Sequence, residues 1–278
     1  MRAVVVRHYG GPEALEVADV PVPEPGPGQV RIRVEAAAVN PVDIATRQGL
    51  MNAARPGVIG DRDQVGIGWD VAGTVDAAGP GVASFAAGDR VIGLRDRLDQ
   101  PLGTYAERVV LDAADVAPAP RSVAAAAAAT LPLNGLTTVQ ALDRLGLAAG
   151  QSILVTGAAG GLGGLGVELA AMRGLRVIAA AGDADEELAR KLGAAGFVPR
   201  SADLAPAVRD LVPGGVDAAF DAAVLGYPAL DAVRPAARSR PSPGPAPSRC
   251  AASAWYRSTS TPTERRWPGC PPWPRRGS

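Results

Sequence analysis

The run Ile153-Leu154-Val155-Thr156-Gly157-Ala158-Ala159-Gly160-Gly161-Leu162-Gly163 ends an aliphatic stretch on a cluster of glycines and passes at once into a helical pattern. Such a junction brings backbone N–H groups up to a diphosphate. Gly160 and Gly161 let the main chain turn tightly and approach a ligand, and Gly163 lets the helix sit close to the strand. The helix N-terminus then offers unpaired N–H groups and a partial positive charge. A second aliphatic stretch, residues 176–180, follows after about one helix, which makes half of a dinucleotide-binding unit. The chemistry expected is that of a bound nucleotide cofactor, anchored by the main chain at Ala158, Ala159, Gly160, Gly161, Leu162 and Gly163. The alternative for a lone glycine cluster is a purely structural turn.

The end of the second strand bears on which dinucleotide is held. In NAD-preferring folds an acid at this point accepts from the ribose 2′-hydroxyl. Here the position is Ala181, so a 2′-phosphate meets no carboxylate there. Asp183 and Glu186 follow and oppose a phosphate by like charge, and Arg200, after the third strand, could compensate. The balance leans to NADPH, with NADH as the other possibility.

Two kinds of chain position these groups. Residues 1–118 read as β-rich, with short runs at 3–6, 30–34, 70–75, 90–93 and 105–110 punctuated by Pro25-Gly26-Pro27-Gly28 and Gly79-Pro80-Gly81. Residues 119–234 switch to helical patterns alternating with strands: a helix from Ser122 through Thr130, further helices at 186–192 and 205–211, and a strand at 216–220. That alternation predicts a parallel sheet with helices on its faces.

The chain has 278 residues, is 47% apolar and carries 28 basic against 28 acidic residues, so its length suggests two domains and its overall balance argues against a nucleic-acid partner. Met1 to Val6 is too short an apolar run for a signal peptide and is interrupted by Arg7 and His8; no stretch has the length of a bilayer span. A soluble, cytoplasmic protein is the expectation. The only cysteines are Cys250 and Cys270, which permits neither a disulfide framework nor a multi-cysteine zinc site.

Residues 235–278 are of another kind. They hold no Val, Ile, Leu, Met or Phe, ten of the 26 prolines, eight Arg and a single acid, Glu264. A segment without aliphatic side chains cannot offset its own ordering entropy. One reading is a genuine disordered basic tail able to touch nucleic acid or acidic lipid. The other, which is favoured, is a segment read in the wrong frame. Shifted by one nucleotide, codons permitted by residues 235–245 can encode a turn and an aliphatic strand. The nucleotide sequence around residue 235 decides between them.

Several short pieces share an order and spacing with a known family: Gly10-Gly11-Pro12-Glu13, Val39-Asn40-Pro41-Val42-Asp43, Gly68-Trp69-Asp70-Val71-Ala72-Gly73, Gly88-Asp89-Arg90-Val91, Gly103-Thr104-Tyr105-Ala106-Glu107, Leu133-Asn134-Gly135-Leu136-Thr137 and the glycine cluster. From residue 1 to about 234 the chain resembles the zinc-independent quinone oxidoreductase branch of the medium-chain dehydrogenase/reductase superfamily. The resemblance implies an α/β protein with a GroES-like β-rich catalytic domain at 1–118. An incomplete doubly wound (Rossmann) cofactor domain at 119–234 and an aberrant, disordered tail at 235–278 complete the expected fold. It implies a homodimer built through a late strand of the cofactor sheet, but that strand falls in 235–278, where nothing resembles it.

Zinc enzymes of the superfamily need a cysteine near the position of Asn40 together with His and Glu ligands, whereas the first domain here has no cysteine and His8 is the one histidine, read as a surface residue. No zinc is therefore expected. The implied reaction is metal-free hydride transfer from NADPH to a quinone or an α,β-unsaturated carbonyl. The alternative is a non-catalytic NADPH-binding remnant disabled by its C-terminus. Asn40 matches the family's Asn at the substrate cleft, where it donates to a carbonyl or orients the nicotinamide ribose; its other reading is a turn residue before Pro41. Tyr105 either lines the cleft or belongs to a strand. Thr137 matches the Thr at the nicotinamide end or is a helix-terminal hydroxyl. Gly182 matches the family's NADPH users, while Asp43 and Asp70 read as structural.

Overall fold

The computed structural model describes residues 1–54, 56–59 and 62–235. By compactness these fall into two units, residues 1–133 and residues 134–235. The Pro/Arg/Ser-rich segment, with its two alternative readings, lies outside the described residues apart from Pro235.

The first unit is built on strands. β1 (Arg2–Val6), β2 (Leu15–Asp19), β3 (Gln29–Ala36), α1 (Pro41–Arg47), α2 (Leu50–Ala54), β4 (Val65–Gly66), β5 (Asp70–Ala78), β6 (Arg90–Leu94), β7 (Arg108–Asp112), β8 (Val116–Pro118) and α3 (Ala125–Ala128) follow one another. They form a three-stranded sheet in the order β2-β1-β4 and a five-stranded sheet in the order β7-β3-β5-β6-β8. All pairings are antiparallel. Alternate residues Val30, Ile32, Val71, Val75, Val91, Val109 and Leu111 share one core, the period of two expected when one sheet face is buried. Two consequences bear on function. α1 starts at Pro41, whose fixed φ and missing N–H suit a first helical turn, so Asn40 sits at its N-cap. β5 begins at Asp70, which places that carboxylate at the mouth of the strand.

The second unit consists of α4 (Leu131–Leu145), which opens just ahead of the division, then β9 (Ser152–Thr156), α5 (Gly161–Met172), β10 (Arg176–Ala181), α6 (Glu186–Lys191), β11 (Gly196–Pro199), α7 (Leu204–Leu211), β12 (Ala218–Asp221) and α8 (Tyr227–Asp231). The four strands are parallel in the order β11-β10-β9-β12. Residues on one face, Ile153, Val155, Val177, Ala179 and Phe220, lie in a core with Ala141, Leu142, Val167 and Ala170. Their neighbours Leu154, Ile178, Val198 and Ala219 face Ala205, Val208, Ala229 and Ala232. Burial on both faces is why these strands read as continuous apolar runs. No helix among the described residues is long and apolar enough to cross a membrane.

Several boundaries differ from the sequence expectations. The helix expected from Ser122 starts at Ala125, with Ala124 as an N-cap that makes no side-chain bond, and it ends by Ala129. The longer helix is α4, which contains Pro132 and Gly135; Pro is tolerated in a first helical turn because the N–H it lacks is unpaired there anyway. Tyr105 precedes the strand it was expected to open, since β7 starts at Arg108. Val216 is not in β12 but in an isolated parallel bridge to Val233. β2, β4 and β8 were not anticipated: β2 buries none of its residues, and the other two have three residues or fewer.

Candidate functional site

The glycines between β9 and α5 have separable reasons to be glycine. Gly157 has φ +61°, the left-handed region that L-residues avoid. A Cβ on Gly163 would lie 2.1 Å from the Gly157 carbonyl oxygen, so only glycine fits. Gly166, which was not singled out from the sequence, takes the close approach to the sheet, since its Cβ would meet the Phe220 ring at 2.7 Å. Neither reason applies to Gly161, and only a milder form of the second to Gly160. Gly160 has φ −83° at the N-cap, and a Cβ there would touch only its own turn at 3.3 Å, while one on Gly161 would meet Asn134 Nδ2 at an ordinary 3.7 Å. Both residues are exposed. What their missing side chains leave open is the space in front of the helix.

The amides of this turn divide the same way. The Ala158 N–H donates to the Ala180 carbonyl at 3.1 Å and that of Gly160 to Gly157 at 2.9 Å. The amides of Gly161, Leu162 and Gly163 belong to the first turn of α5, which has no preceding intrahelical carbonyl to receive them. An anion is accommodated there by main chain and helix dipole together. Ala159, half-buried, bridges the two sets.

At the end of β10, Ala181 is buried and is followed by Gly182, whose N–H donates to Asp185 Oδ2 at 3.0 Å. The Asp183 carboxylate accepts from the Ser201 N–H at 3.2 Å; hydrogen bonds from Ser201, with the charge of Arg200 adding to them, hold its carboxyl below the usual range. Arg200 itself is exposed. The Asp183 carboxylate therefore stands beside the one cation that the sequence assigns to a 2′-phosphate.

A further element was missed. Thr156, at the end of β9, donates through Oγ1 to Asp221 Oδ1, at the end of β12, at 2.5 Å, and accepts from the Ala223 N–H at 3.0 Å. Asp221 Oδ2 accepts from the Gly226 N–H at 2.7 Å. These bonds press the loop after β12 against the glycine turn, with Ala223 at 3.3 Å from where a Gly157 Cβ would be. The signal available was a polar residue closing each of two apolar strands at their carboxyl ends, where open α/β sheets take their ligands.

In the first unit the structure draws Asn40 and Tyr105 into one buried polar cluster. Asn40 Nδ2 donates to Asp70 Oδ2 at 2.7 Å, and the Asn40 N–H donates to Asp43 Oδ2 at 2.7 Å. The Tyr105 hydroxyl lies 3.2 Å from that same Asp43 oxygen and 3.0 Å from the Ala38 carbonyl. Asp70 Oδ1 accepts from the Leu133 N–H in the first turn of α4 at 2.8 Å. Asp43 is 3% exposed and Asp70 0%. Burial, opposed only in part by these donors, pushes each carboxyl up to about 6. Burial, with Asp43 next, holds the Tyr105 phenol above its ordinary range.

These values give the cluster a pH signature. Both folded carboxyls sit above the ordinary 3.8, so the folded protein binds protons that the unfolded chain has released. The stability they contribute is complete below about pH 4 and is lost as pH rises through about 6, of order 2–3 kcal/mol per carboxyl. The urea midpoint is expected to fall between pH 5 and pH 7.5, and Asp43→Asn is expected to flatten that fall. A midpoint that rises over the same interval would contradict the assignment.

Thr137 lies in the second turn of α4, half-buried, and not at a helix terminus; its neighbour Thr138 is fully buried, with Oγ1 unpartnered. His8 is exposed. Among the described residues no three His, Cys, Asp or Glu side chains converge as metal ligands would. A cavity of about 210 Å³ beside β7, lined by Arg95, Arg97, Asp112 and Asp115, includes none of the predicted site residues.

Comparison with known proteins bears on both units. Residues 26–121 match the family model for the alcohol dehydrogenase GroES-like domain, and residues 161–238 match that for zinc-binding dehydrogenase. The chain is 36% identical over 201 residues to a chloroplast envelope quinone oxidoreductase homolog of Arabidopsis thaliana, covering 70% of this chain and 59% of the relative. It is 34% identical over 202 residues to an NADPH-dependent alkenal/one oxidoreductase of the same plant, covering 70% of this chain and 51% of the relative. The chain thus spans between half and three-fifths of these curated relatives. A crystal structure of an NAD-dependent alcohol dehydrogenase superposes with a TM-score of 0.75 at 37% identity, covering 84% of this chain and 75% of the other.

Proposed function

The chain belongs to the medium-chain dehydrogenase/reductase superfamily, in its quinone oxidoreductase-like branch, and on that premise we propose that it is a zinc-independent reductase using NADPH to reduce a quinone or an α,β-unsaturated carbonyl. The observation that carries the reading is that Gly161 is glycine where neither backbone conformation nor packing demands it, beside Gly160, whose backbone is ordinary and whose Cβ would press only on the Gly157 carbonyl. The remaining demand is a ligand that must come within van der Waals distance of the main chain, at a helix N-terminus suited to a diphosphate. When bound, the reduced nicotinamide supplies the hydride.

Residues of the second unit do the holding. The first-turn amides of α5 bind the diphosphate, and the Thr156–Asp221 pair keeps the adjoining loop against the turn. Gly182 and Arg200 would hold the adenosine ribose, and Thr137 the nicotinamide end, were the cofactor bound. Residues of the first unit do the orienting. Asp70 fixes the Asn40 amide by accepting one of its N–H groups, and the other would serve the acceptor carbonyl. Tyr105, half-buried, would offer its hydroxyl from a position fixed by Ala38 and Asp43. An acceptor conjugated to a carbonyl spreads the arriving charge onto oxygen, so hydrogen-bond donors suffice to stabilise it. Zinc independence is supported by the donor chemistry: Asn40 is committed to Asp70, and no cysteine precedes Cys250.

NADPH as reductant is supported by Ala181 and by the name of the alkenal/one oxidoreductase relative. The matched crystal structure is named as NAD-dependent. Asp183 and Glu186 work against a 2′-phosphate. Asp183→Ser is expected to tighten NADPH, and not NADH, by roughly tenfold, the effect of one nearby like charge at intermediate dielectric, as read by fluorescence titration of both nucleotides. Equal changes for the two would mean that the carboxylate does not face the phosphate.

The test of the reading is oxidation of NADPH by the full chain with a simple quinone and with a conjugated enone. Steady turnover supports it. Nucleotide binding without turnover on either acceptor overturns the reductase assignment and favours a non-catalytic dinucleotide-binding protein.

A further inference from the structure

Reduction of a carbonyl-conjugated acceptor needs a proton as well as a hydride, and the first unit contains an acid that hydride transfer alone does not use. Asp43 is buried and faces no cation. The titratable groups acting on it are Asp70 from β5 and Tyr105 from the segment before β7, while Arg47, one turn along α1, acts on Glu13. Its Oδ1 is buried without a well-formed hydrogen bond, the Gly68 N–H being the one further backbone donor that acts on this carboxyl. An under-bonded oxygen is costly on a carboxylate and much less so on a neutral acid.

The hydrogen-bond count around Tyr105 points the same way. Its single phenolic hydrogen lies between two acceptors, the Ala38 carbonyl at 3.0 Å and Asp43 Oδ2 at 3.2 Å. With Asp43 ionised, the one hydrogen is divided between the two acceptors, and Oδ2 keeps only the Asn40 N–H when Tyr105 turns to Ala38. With a proton on Asp43 Oδ2, the acid donates to the Tyr105 oxygen and Tyr105 donates to Ala38, while Oδ2 still accepts from the Asn40 N–H. Asp43 is too deeply buried to exchange with an acceptor directly, whereas Tyr105 is half-buried.

We propose that Asp43 binds the proton that Tyr105 hands to the reduced acceptor, so that the two form a short relay ending at the Tyr105 hydroxyl. The proposal rests on the reductase reading. The hydride, with its electron pair, forms a new C–H or O–H bond on the acceptor, which is reduced by two electrons as the nicotinamide is oxidised. Negative charge is left on the acceptor oxygen or its conjugate carbon. The Tyr105 O–H bond breaks as its proton goes there. The Asp43 O–H bond breaks as its proton moves to the Tyr105 oxygen. Asp43 is left as a carboxylate, and water restores its proton after product leaves. Tyr105 is the catalytic residue in this scheme and Asp43 acts through it.

Two readouts on the full chain test it. Infrared difference spectra between pH 8 and pH 5 are expected to show carboxylic-acid C=O bands from buried acids. Asp70, raised to the same range, supplies one such band; Asp43→Asn should remove the other, and Tyr105→Phe, which keeps every charge, should shift that other band by deleting the bond to Tyr105. In NADPH oxidation, wild-type kcat is expected to fall as pH rises through about 6, and Tyr105→Phe to lower kcat on the order of a hundredfold, the usual weight of a general acid, with KM little changed and the pH dependence gone. Spectra unchanged in both variants, or a Tyr105→Phe enzyme that keeps the wild-type pH profile, overturn the relay while leaving the reductase reading intact. An Asp43 band that behaves as expected in a protein that never oxidises NADPH overturns the reductase reading and with it the relay's role.

Discussion

Gly160→Asp is expected to weaken dinucleotide binding at least on the order of a hundredfold while leaving thermal stability unchanged or slightly raised. The two effects come from the same atom position. Gly160 is the N-cap of α5, with extended backbone angles that any residue can adopt, and a Cβ there meets only the Gly157 carbonyl oxygen at 3.3 Å. Aspartate is a better N-cap than glycine by a few tenths of a kcal/mol, and its charge suits the helix dipole. The same carboxylate would project into the space assigned to the diphosphate. At about 4–5 Å and an intermediate dielectric, one like-charge pair costs roughly 3–4 kcal/mol, which is two to three powers of ten in affinity. Gly163 is a poorer probe, because a Cβ 2.1 Å from the Gly157 oxygen disturbs the turn whether or not a ligand is there. Calorimetric titration and a melting curve on one Gly160→Asp preparation are sufficient. Retained affinity in a stable variant would leave glycine at this position without a ligand-based cause.

The second large effect expected is on stability. Asp70→Ala should destabilise the protein by about 2–4 kcal/mol at pH 7, far more than a surface substitution. Asp70 is fully buried and accepts from Asn40 Nδ2 at 2.7 Å and the Leu133 N–H at 2.8 Å. Alanine would leave both donors without an acceptor, at about 1–3 kcal/mol each. Relief of burying a carboxylate offsets part of that loss, which is why the expected total is less than the sum. Asp70→Asn keeps one acceptor but turns an amide N–H₂ toward the other donor, so an intermediate loss is expected. The order wild type, Asp70→Asn, Asp70→Ala in urea midpoint is the result to check. Equal midpoints for wild type and Asp70→Ala would mean that the cluster does not hold Asn40 or the start of α4.

The parts of this architecture that could be read from sequence are those whose signal is local. β9, β10 and β11 with their helices follow from aliphatic runs alternating with helical stretches, because a parallel sheet covered on both faces has apolar residues at successive positions. The glycine turn was visible for the same reason, as a break of conformational type between two such runs. What escaped is either short or long-range. β2 (Leu15–Asp19) has no buried residue, so no period of two marks it. α4 was obscured by Pro132 and Gly135, both ordinarily turn signals, which it accommodates within its first turns. The cluster around Asn40 joins residues 30 positions apart in the Asn40–Asp70 bond and 62 apart in the Asp43–Tyr105 bond. Periodicity carries no information at that separation. Asn40 and Tyr105 are reached through family likeness, and the carboxylates that hold them read as structural from sequence, Asp70 with both oxygens bonded and Asp43 with one not. The Thr156–Asp221 pair escaped likewise, because its members stand 65 positions apart.

The most direct measurement is calorimetric titration of the folded wild-type chain with NADPH, and separately with NADH. The account predicts saturable binding of at least one, abolished in Gly160→Asp. No heat with either nucleotide, from protein shown by circular dichroism to be folded, would contradict it.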